Sequence, residues 1–246
     1  YSIKYYQMLQ RERQRSLRAN AMAHQAQLKM LRYQLNPHFL FNTLNAISTL
    51  ILESQTKMAN NMVTELSKFL RYSLENDPMQ KVDLAQEVRT LQLYLNIEKV
   101  RFEERLRLNI DIDDEASRAL IPSLLLQPLV ENSIKYAVSK SEDGGTICIS
   151  GKVFAGELLL EITDDGPGVP LVDGKLPEFS GVGLRNFKDR LREIYGDNHA
   201  CSFSDAKPHG LQINVRIPFH TTQKSGSSHP NTGPTAEASY SPAAHH

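Results

Sequence analysis

The chain is poor in cysteine, with Cys148 and Cys201 its only two in 246 residues. That excludes a disulfide framework or a structural zinc site and fits a reducing, cytosolic setting. No run of about eighteen apolar residues occurs, so nothing in the sequence is expected to span a bilayer. Net charge is lacking too: 28 Lys and Arg face 28 Asp and Glu, which argues against a protein that wraps nucleic acid by charge. The balance conceals a local asymmetry. Residues 1–33 carry Lys4, Arg11, Arg13, Arg15, Arg18, Lys29 and Arg32 against Glu12 alone. The sequence opens on Tyr1 rather than Met, as expected of a piece of a longer protein.

The length allows one large domain or two small ones, each able to bury a core. Residues 2–53 lack glycine, contain Pro37 as their one proline, and are rich in Gln, Arg and Leu. They read as a long helix. Leu28, Leu31 and Leu35 recur at helical spacing, and beyond the proline so do Leu40, Leu44, Ile47 and Ile51. A second helix over 57–75 shows Met58, Met62, Leu66, Phe69 and Ser73 on one stripe, and a break at 53–56 folds the pair into a hairpin. Two helices cannot bury a stripe on both members alone, so a four-helix bundle from two copies is expected. Asn76-Asp77-Pro78 closes this unit.

From Asp83 onward helix and strand alternate. The pattern predicts a helix over 84–104, a strand over 106–112, and a helix over 122–138 with Pro122 in its first turn. Strands at 146–154 and 158–163, a Gly/Pro-rich loop at 164–183, a helix at 184–195 and strands at 201–204 and 211–217 follow. This order predicts a two-layer α/β sandwich with a mixed sheet. Residues 221–246 are mostly Ser, Thr, Pro, Gly and Ala and read as a disordered tail. The expected domains are therefore 1–80, 81–220 and a tail at 221–246.

Four motifs carry the chemistry. Asn36-Pro37-His38-Phe39-Leu40-Phe41-Asn42 falls inside the first expected helix, where a proline costs about 3 kcal/mol and clashes with the carbonyl of Tyr33. A kink there tilts His38 outward, and an imidazole is a competent nucleophile near neutral pH. A core histidine beside a structural proline is the plain alternative. Further on, Glu131, Asn132, Lys135 and Tyr136 share one helical face by their spacing. An Asn carbonyl suits the oxygen shell of Mg²⁺ and a Lys binds phosphate as a point charge; a Glu131–Lys135 surface ion pair is the bland alternative.

Asp164-Asp165-Gly166-Pro167-Gly168 ends an apolar strand. Glycines there let the backbone approach a flat ligand and a carboxylate accepts from an exocyclic amine, although a simple turn uses the same residues. Gly181-Val182-Gly183-Leu184-Arg185-Asn186 leads a loop into a helix, an arrangement that binds phosphates. Neither a Walker A sequence nor a strand–Gly-x-Gly-x-x-Gly–helix unit occurs, so a nucleotide site here is of another type.

Taken in order, these motifs resemble the H, N, G1 and G2 boxes of sensor histidine kinases, and the wording of residues 36–42 is closest to the LytS-like family. The resemblance covers residues 28–218, including Leu70-Arg71-Tyr72-Ser73-Leu74, Glu98-Lys99-Val100-Arg101-Phe102 and the stretch 183–196. It implies a helical-hairpin dimerisation and phosphotransfer domain followed by an ATP-binding sandwich of the GHKL type. By resemblance His38 is the phosphoacceptor, Asn132 binds Mg²⁺, and Lys135 and Tyr136 lie beside the nucleotide. Asp164 would bond the adenine amine, with Gly166 and Gly168 shaping its pocket. Gly181, Gly183 and Leu184 would flank a lid over 169–180 that holds Lys175.

ATP and Mg²⁺ are thus the implied cofactors, and the implied partner is a response regulator, a LytTR-type DNA-binding one by resemblance, with no direct nucleic-acid contact by this chain. The resemblance also makes the basic N-terminal stretch juxtamembrane, so the chain is expected to be the cytoplasmic part of a membrane-anchored homodimer. Two departures stand out. Commoner kinases place an acid directly after the histidine, where Phe39 stands here, so the proton acceptor is unassigned and Glu131 is the candidate. The hydrolytic GHKL ATPases carry a water-activating Glu four residues before the Asn; here Pro128 occupies that place, which suits transfer to His rather than to water. Asn42, one turn after His38, either orients a water against phosphohistidine or bonds the carbonyl freed by the proline kink. The linker Asp77-Pro78-Met79-Gln80 is the expected hinge for bringing His38 to the nucleotide. A catalytically inactive nucleotide-binding module is the alternative reading, and an ATPase clamp the third.

Overall fold

The computed structural model describes residues 36–77, 79–169 and 182–222. The helical expectation for residues 2–35, the hinge residue Pro78, the lid residues 170–181 with Lys175 and Gly181, and the tail from 223 onward lie outside the described residues. The first described helix, α1 (Pro37–Leu52), corrects the expected kink: Pro37 begins the helix instead of interrupting it. At a helix start its missing N–H costs nothing and its fixed φ is already helical. Asn36 is extended, and its Oδ1 accepts from the backbone N–H of His38 at 3.1 Å and of Phe39 at 3.4 Å. That is an N-cap, satisfying two donors the helix cannot satisfy itself.

A turn leads into α2 (Thr56–Glu75), which buries Ala59, Met62, Leu66, Phe69 and Ser73, the expected stripe with Ala59 in place of Met58. On α1 the buried positions are Phe39, Thr43, Ile47 and Leu50. Leu44 and Ile51, expected on that face, are 55 % and 60 % exposed. The helix is apolar on two adjoining stripes, and its neighbours decide which one is covered. The neighbour is α3 (Leu84–Phe102), started by Asp83, whose carboxylate accepts from the Gln86 N–H. Tyr94 of α3 closes an aromatic cluster with Phe39 at 4.8 Å and Phe69 at 5.8 Å between ring centroids, while Phe39 and Phe69 meet edge-on at 5.5 Å. The stripe assigned to a second copy is thus closed within one chain by α3.

Two sheets follow. Short strands β1 (Lys81–Asp83) and β3 (Leu120–Pro122) pair antiparallel; at three residues each, neither leaves a period to read in the sequence. The main sheet joins β2 (Leu106–Ile112), β4 (Gly145–Phe154), β5 (Glu157–Asp164), β6 (Ala200–Asp205) and β7 (Leu211–Pro218) in the order β2-β4-β5-β7-β6. The β2–β4 pair is parallel and the rest antiparallel, which is the expected mixed sheet. Ile149, Ile162, Ile213 and Phe203 are successive register partners and all are buried, while the next row, Ser150, Glu161, Asn214 and Ser202, is polar and faces outward. Helices α3, α4 (Gln127–Ser133) and α5 (Val182–Tyr195) share the buried cluster with the inward row, giving two layers. Among the described residues no helix is long and apolar enough to cross a membrane.

The helix expected over 122–138 begins later. Pro122 closes β3, Leu124 adopts φ +57°, and Pro128 takes the first-turn place in α4, which continues as a π-helical turn over Ile134–Val138. Glu87 of α3 is the cause. Its buried carboxylate accepts from the N–H groups of Leu124 at 2.8 Å and Leu126 at 2.9 Å. From the other side Arg190 of α5 donates to the carbonyls of Ser123 and Leu124. Left-handed backbone at a non-glycine residue costs roughly 1–3 kcal/mol and persists where surrounding bonds over-determine it. These bonds do so.

Burial pushes the Glu87 carboxyl from its ordinary 4.5 up to about 7, against the pull of the Leu126 and Leu124 N–H groups and Arg190. The unfolded chain gives up this proton near 4.5 and the folded one near 7, so this group's share of stability falls as pH rises through that window and levels off above it. Glu87→Gln cannot titrate and is expected to flatten that decline. It should also lower stability by about 1–3 kcal/mol, because one amide oxygen replaces two carboxylate acceptors. Urea unfolding across this pH window measures both effects; an unchanged slope in the variant would remove Glu87 from the titration.

Candidate functional site

The start of α1 meets α3 and α4 around a cavity of about 450 Å³. His38, Glu131, Asn132, Lys135, Tyr136, Gly183 and Leu184 line it. Of the adjacent pair at the helix start, Phe39 is buried in the aromatic cluster and His38 is exposed at the cavity. His38 and Asn132 thus line one cavity.

Asn36 joins the two helices chemically. While its Oδ1 caps α1, its Nδ2 donates to Glu131 Oε2 at 3.4 Å. Glu131 Oε1 accepts from Gln127 Nε2 at 2.7 Å. Burial pushes the Glu131 carboxyl up from the ordinary carboxylate range, and the Gln127 and Asn36 amides pull it partly back. Asn42 Nδ2 lies 3.2 Å from both ring nitrogens of His38. Of the two alternatives for Asn42, the bond to a carbonyl freed by a kink falls away with the kink, and the amide meets the imidazole instead.

The π-helical turn carries the next two side chains. Such a turn winds the backbone wider than an α-helix, and here it sets Lys135 Nζ 4.9 Å from the centre of the Tyr136 ring, with Lys140 Nζ at 4.7 Å. Two ammonium groups thus share one aromatic face system beside the cavity. Among the described residues no group of three or more His, Cys, Asp or Glu could hold a metal ion. The half-buried Asn132 offers one amide oxygen on the cavity wall. This donor set fits an ion that takes its remaining ligands from phosphate oxygens and water, the usual manner of Mg²⁺.

Asp164, Gly166 and Gly168 do not line this cavity; they end β5 and connect to it through Ser133, the neighbour of Asn132. Ser133 Oγ donates to Asp164 Oδ2 at 2.8 Å, and Oδ1 accepts from the N–H groups of Gly166 at 3.1 Å and Leu211 at 3.2 Å. A carboxylate offers about four acceptor positions, and the described residues take three of them. Burial pushes the Asp164 carboxyl up and the neighbouring Asp165 adds to this, while Ser133, Leu211 and Gly166 oppose it. Gly166 is sterically obligatory, since a Cβ there would lie 2.6 Å from that of Ala137. Gly168 adopts φ +73°. Among the described residues the nearest atom to a Cβ at Gly183 is Pro128 Cβ at 3.8 Å; Gly181 lies outside them.

Several site residues escaped the sequence reading. Tyr94, Glu98 and Arg101 of α3 line the His38 cavity; the Glu98–Arg101 spacing was visible, but nothing local aims it at residues 30 or more positions away. At Gly210, φ is +119° and a Cβ would overlap the Asp164 carbonyl, so the β6–β7 turn rests directly on the backbone leaving β5. His209 Nδ1 lies 3.1 Å from the Gly166 carbonyl.

A family model described as Histidine kinase matches residues 26–106. The chain is 38 % identical over 203 residues to the sensor histidine kinase BtsS of Escherichia coli, an alignment covering 82 % of this chain and 35 % of that protein. It is 37 % identical over 199 residues to the sensor histidine kinase YesM of Bacillus subtilis, covering 79 % and 33 %. With the sensor protein LytS of Staphylococcus saprophyticus it shares 31 % over 214 residues, covering 83 % and 36 %. The chain spans about a third of the length of these relatives.

Replacing the cap tests the Asn36 link. Asn36→Ala is expected to cost about 1 kcal/mol through the lost cap. Asn36→Asp retains capping but sets a second carboxylate against Glu131 Oε2, now 3.4 Å from the amide. Its stability should approach that of the native chain in mild acid and fall below it above neutral pH, where both groups are ionised. Thermal unfolding at the two pH values distinguishes the pair; equal behaviour of Asn36→Asp at both would break the link.

Proposed function

The chain belongs to the LytS-like sensor histidine kinases, and on that premise we propose that it transfers the γ-phosphoryl group of ATP to His38 and then to an aspartate of a response regulator. The observation that carries this reading is the shared cavity: an exposed imidazole faces the wall that bears Asn132, Lys135 and Tyr136. The adenine is held at Asp164, Gly166 and Gly168, one residue of α4 away, and the phosphates run past Asn132 towards His38 with Gly181, Gly183 and Leu184 alongside. Asn132 would hold Mg²⁺ together with the phosphates, and the ion would supply charge neutralisation there.

In the transfer step the lone pair of one His38 ring nitrogen attacks the γ-phosphorus in line. A nitrogen–phosphorus bond forms, the bond from γ-phosphorus to the β–γ bridging oxygen breaks, and ADP leaves with that electron pair. The proton on the other ring nitrogen goes to Glu131. Two carboxylates line the cavity, Glu98 and Glu131, and both are raised by burial. Glu98 is engaged by the Arg101 guanidinium, whereas Glu131 is held by two neutral amides. A carboxylate raised by burial and without a cationic partner among the described residues suits a proton acceptor. Asn42 sets the ring, and the same amide is placed to hold a water for removal of the phosphoryl group.

The regulator is of the LytTR DNA-binding type in this reading, and the working form is a homodimer anchored to a membrane by sequence upstream of Tyr1, with this part cytoplasmic. The dimer is supported by apolar side chains left exposed on the hairpin: Phe41, Leu44, Ile51 and Leu52 on α1, Val63 and Leu74 on α2. A second copy seated there completes a four-helix bundle.

Incubation with labelled ATP and Mg²⁺ tests the reading against the inactive binding module and the ATPase clamp. Acid-labile, base-stable label is expected on the native chain. It should vanish in His38→Ala while nucleotide affinity persists, and Glu131→Gln should label roughly 100-fold more slowly. Label that survives in His38→Ala overturns the acceptor; nucleotide binding without label, or steady ATP hydrolysis without it, overturns the kinase.

A further inference from the structure

Among the described residues Arg101 is the one arginine on the cavity wall, and it also lines a second groove that runs along α1 past Asn42. It therefore flanks the acceptor ring and the Asn42 amide from the α3 side. It is anchored twice. The Nη1 atom lies 2.9 Å from Glu98 Oε2 and donates to Oε1 at 3.2 Å, and the guanidinium carbon stands 4.2 Å from the centre of the Phe102 ring. The anchor itself is costly. Glu98 is only 2 % exposed, its Oε2 has no hydrogen bond of its own beyond that charge contact, and burial pushes its carboxyl up. A buried ion pair of this kind contributes little net stability compared with apolar side chains of the same volume. What it does achieve is to hold a permanently charged planar fork at a fixed place. Among the described residues the hydrogen bonds of Arg101 use Nη1 alone. Its side chain is 24 % exposed, and among the described residues no hydrogen bond takes its Nε or Nη2.

We infer that Arg101 binds the transferred phosphoryl group, first as the γ-phosphate of ATP and then on His38, and that Glu98 is its positioning residue. The inference rests on the phosphotransfer reading and adds the group that meets the migrating oxygens. In that reading Lys135 and the ion at Asn132 serve the nucleotide side. The oxygens of the group in flight, which has little bonding to either neighbour, need donors on the His38 side as well. A guanidinium supplies two parallel N–H bonds to such oxygens, which a lysine cannot. No covalent bond of Arg101 breaks in the step; from its fixed place the fork bonds the phosphoryl oxygens before and after the phosphorus passes from ADP to the imidazole.

The discriminating measurement compares ligands with and without the γ-phosphate on the full chain. In Arg101→Gln the affinity for Mg²⁺ and ADP should remain within about twofold, while that for the non-hydrolysable analogue AMPPNP falls roughly tenfold or more, the loss of one charge-assisted bond pair. Labelling of His38 should slow by roughly 1,000-fold, as expected when an arginine leaves a transferring phosphoryl group. Arg101→Lys keeps the charge without the fork and should recover part of the AMPPNP affinity and little of the rate. Glu98→Gln should narrow the AMPPNP-to-ADP preference while leaving ADP affinity in place. Equal losses for ADP and AMPPNP in both Arg101 variants would make the residue structural, and native labelling rates in either would dismiss the inference. If the native chain itself acquires no label on His38, the phosphotransfer reading fails instead, and the ligand comparison still decides what Arg101 binds.

Discussion

The geometry of the site depends on one capped helix end. Asn36 holds the first turn of α1 with one side-chain atom and reaches Glu131 with another. Because a helix advances by a fixed rotation per residue, fixing its first turn fixes the direction of every side chain after it. Phe39 is thereby sent towards α3 and His38 towards the cavity, while Asn42, a turn later, falls on the imidazole. The contact to Glu131 joins segments 95 positions apart in sequence through a single amide. Few side chains could replace it, since the position needs an acceptor for the cap and a donor for a carboxylate.

Buried carboxylates run through the rest of the molecule. Glu87 shapes the loop before α4, Asp164 ties Ser133 to the β6–β7 turn, and Glu98 steadies Arg101. In each case desolvation raises the carboxyl and hydrogen bonds or a cation resist it. Such groups cost stability unless their partners are well placed, and here the partners are backbone N–H groups and side chains of the site itself. Function and fold are therefore held by the same bonds. A change at Glu87 reaches the start of α4 through Leu126, and one at Asp164 reaches Ser133, the neighbour of Asn132.

Much of this was legible in the sequence, and for definable reasons. Strands β2, β4, β5 and β7 alternate over seven to ten residues, long enough for a period of two to show, and α5 and α2 lie where their apolar spacing puts them. Motif order identified the family before any coordinate. What failed was decided by distant atoms. Pro37 looked like a kink because the pattern of leucines continues through it, and only the Asn36 side chain makes it a beginning. Leu124 looked helical until Glu87 claimed two of the N–H groups around it. Leu44 and Ile51 were indistinguishable from Ile47 by period alone, because the face that α3 covers is not written in α1. Arg101 and Gly210 carry no local mark of their service to residues far along the chain.

The seat of Phe39 has a consequence for chemistry that its neighbours do not announce. Enclosed by Phe69 and Tyr94 and only 3 % exposed, this position is packed among aromatic rings that would not solvate a carboxylate. An acid placed there would be a stranded charge, so the departure from the commoner kinases is a trade in which adhesion between helices displaces acid–base chemistry. In the proposed transfer the proton of the imidazole therefore goes to the opposite flank of the ring, where Glu131 lines the cavity, and aromatic packing at Phe39 sets that direction.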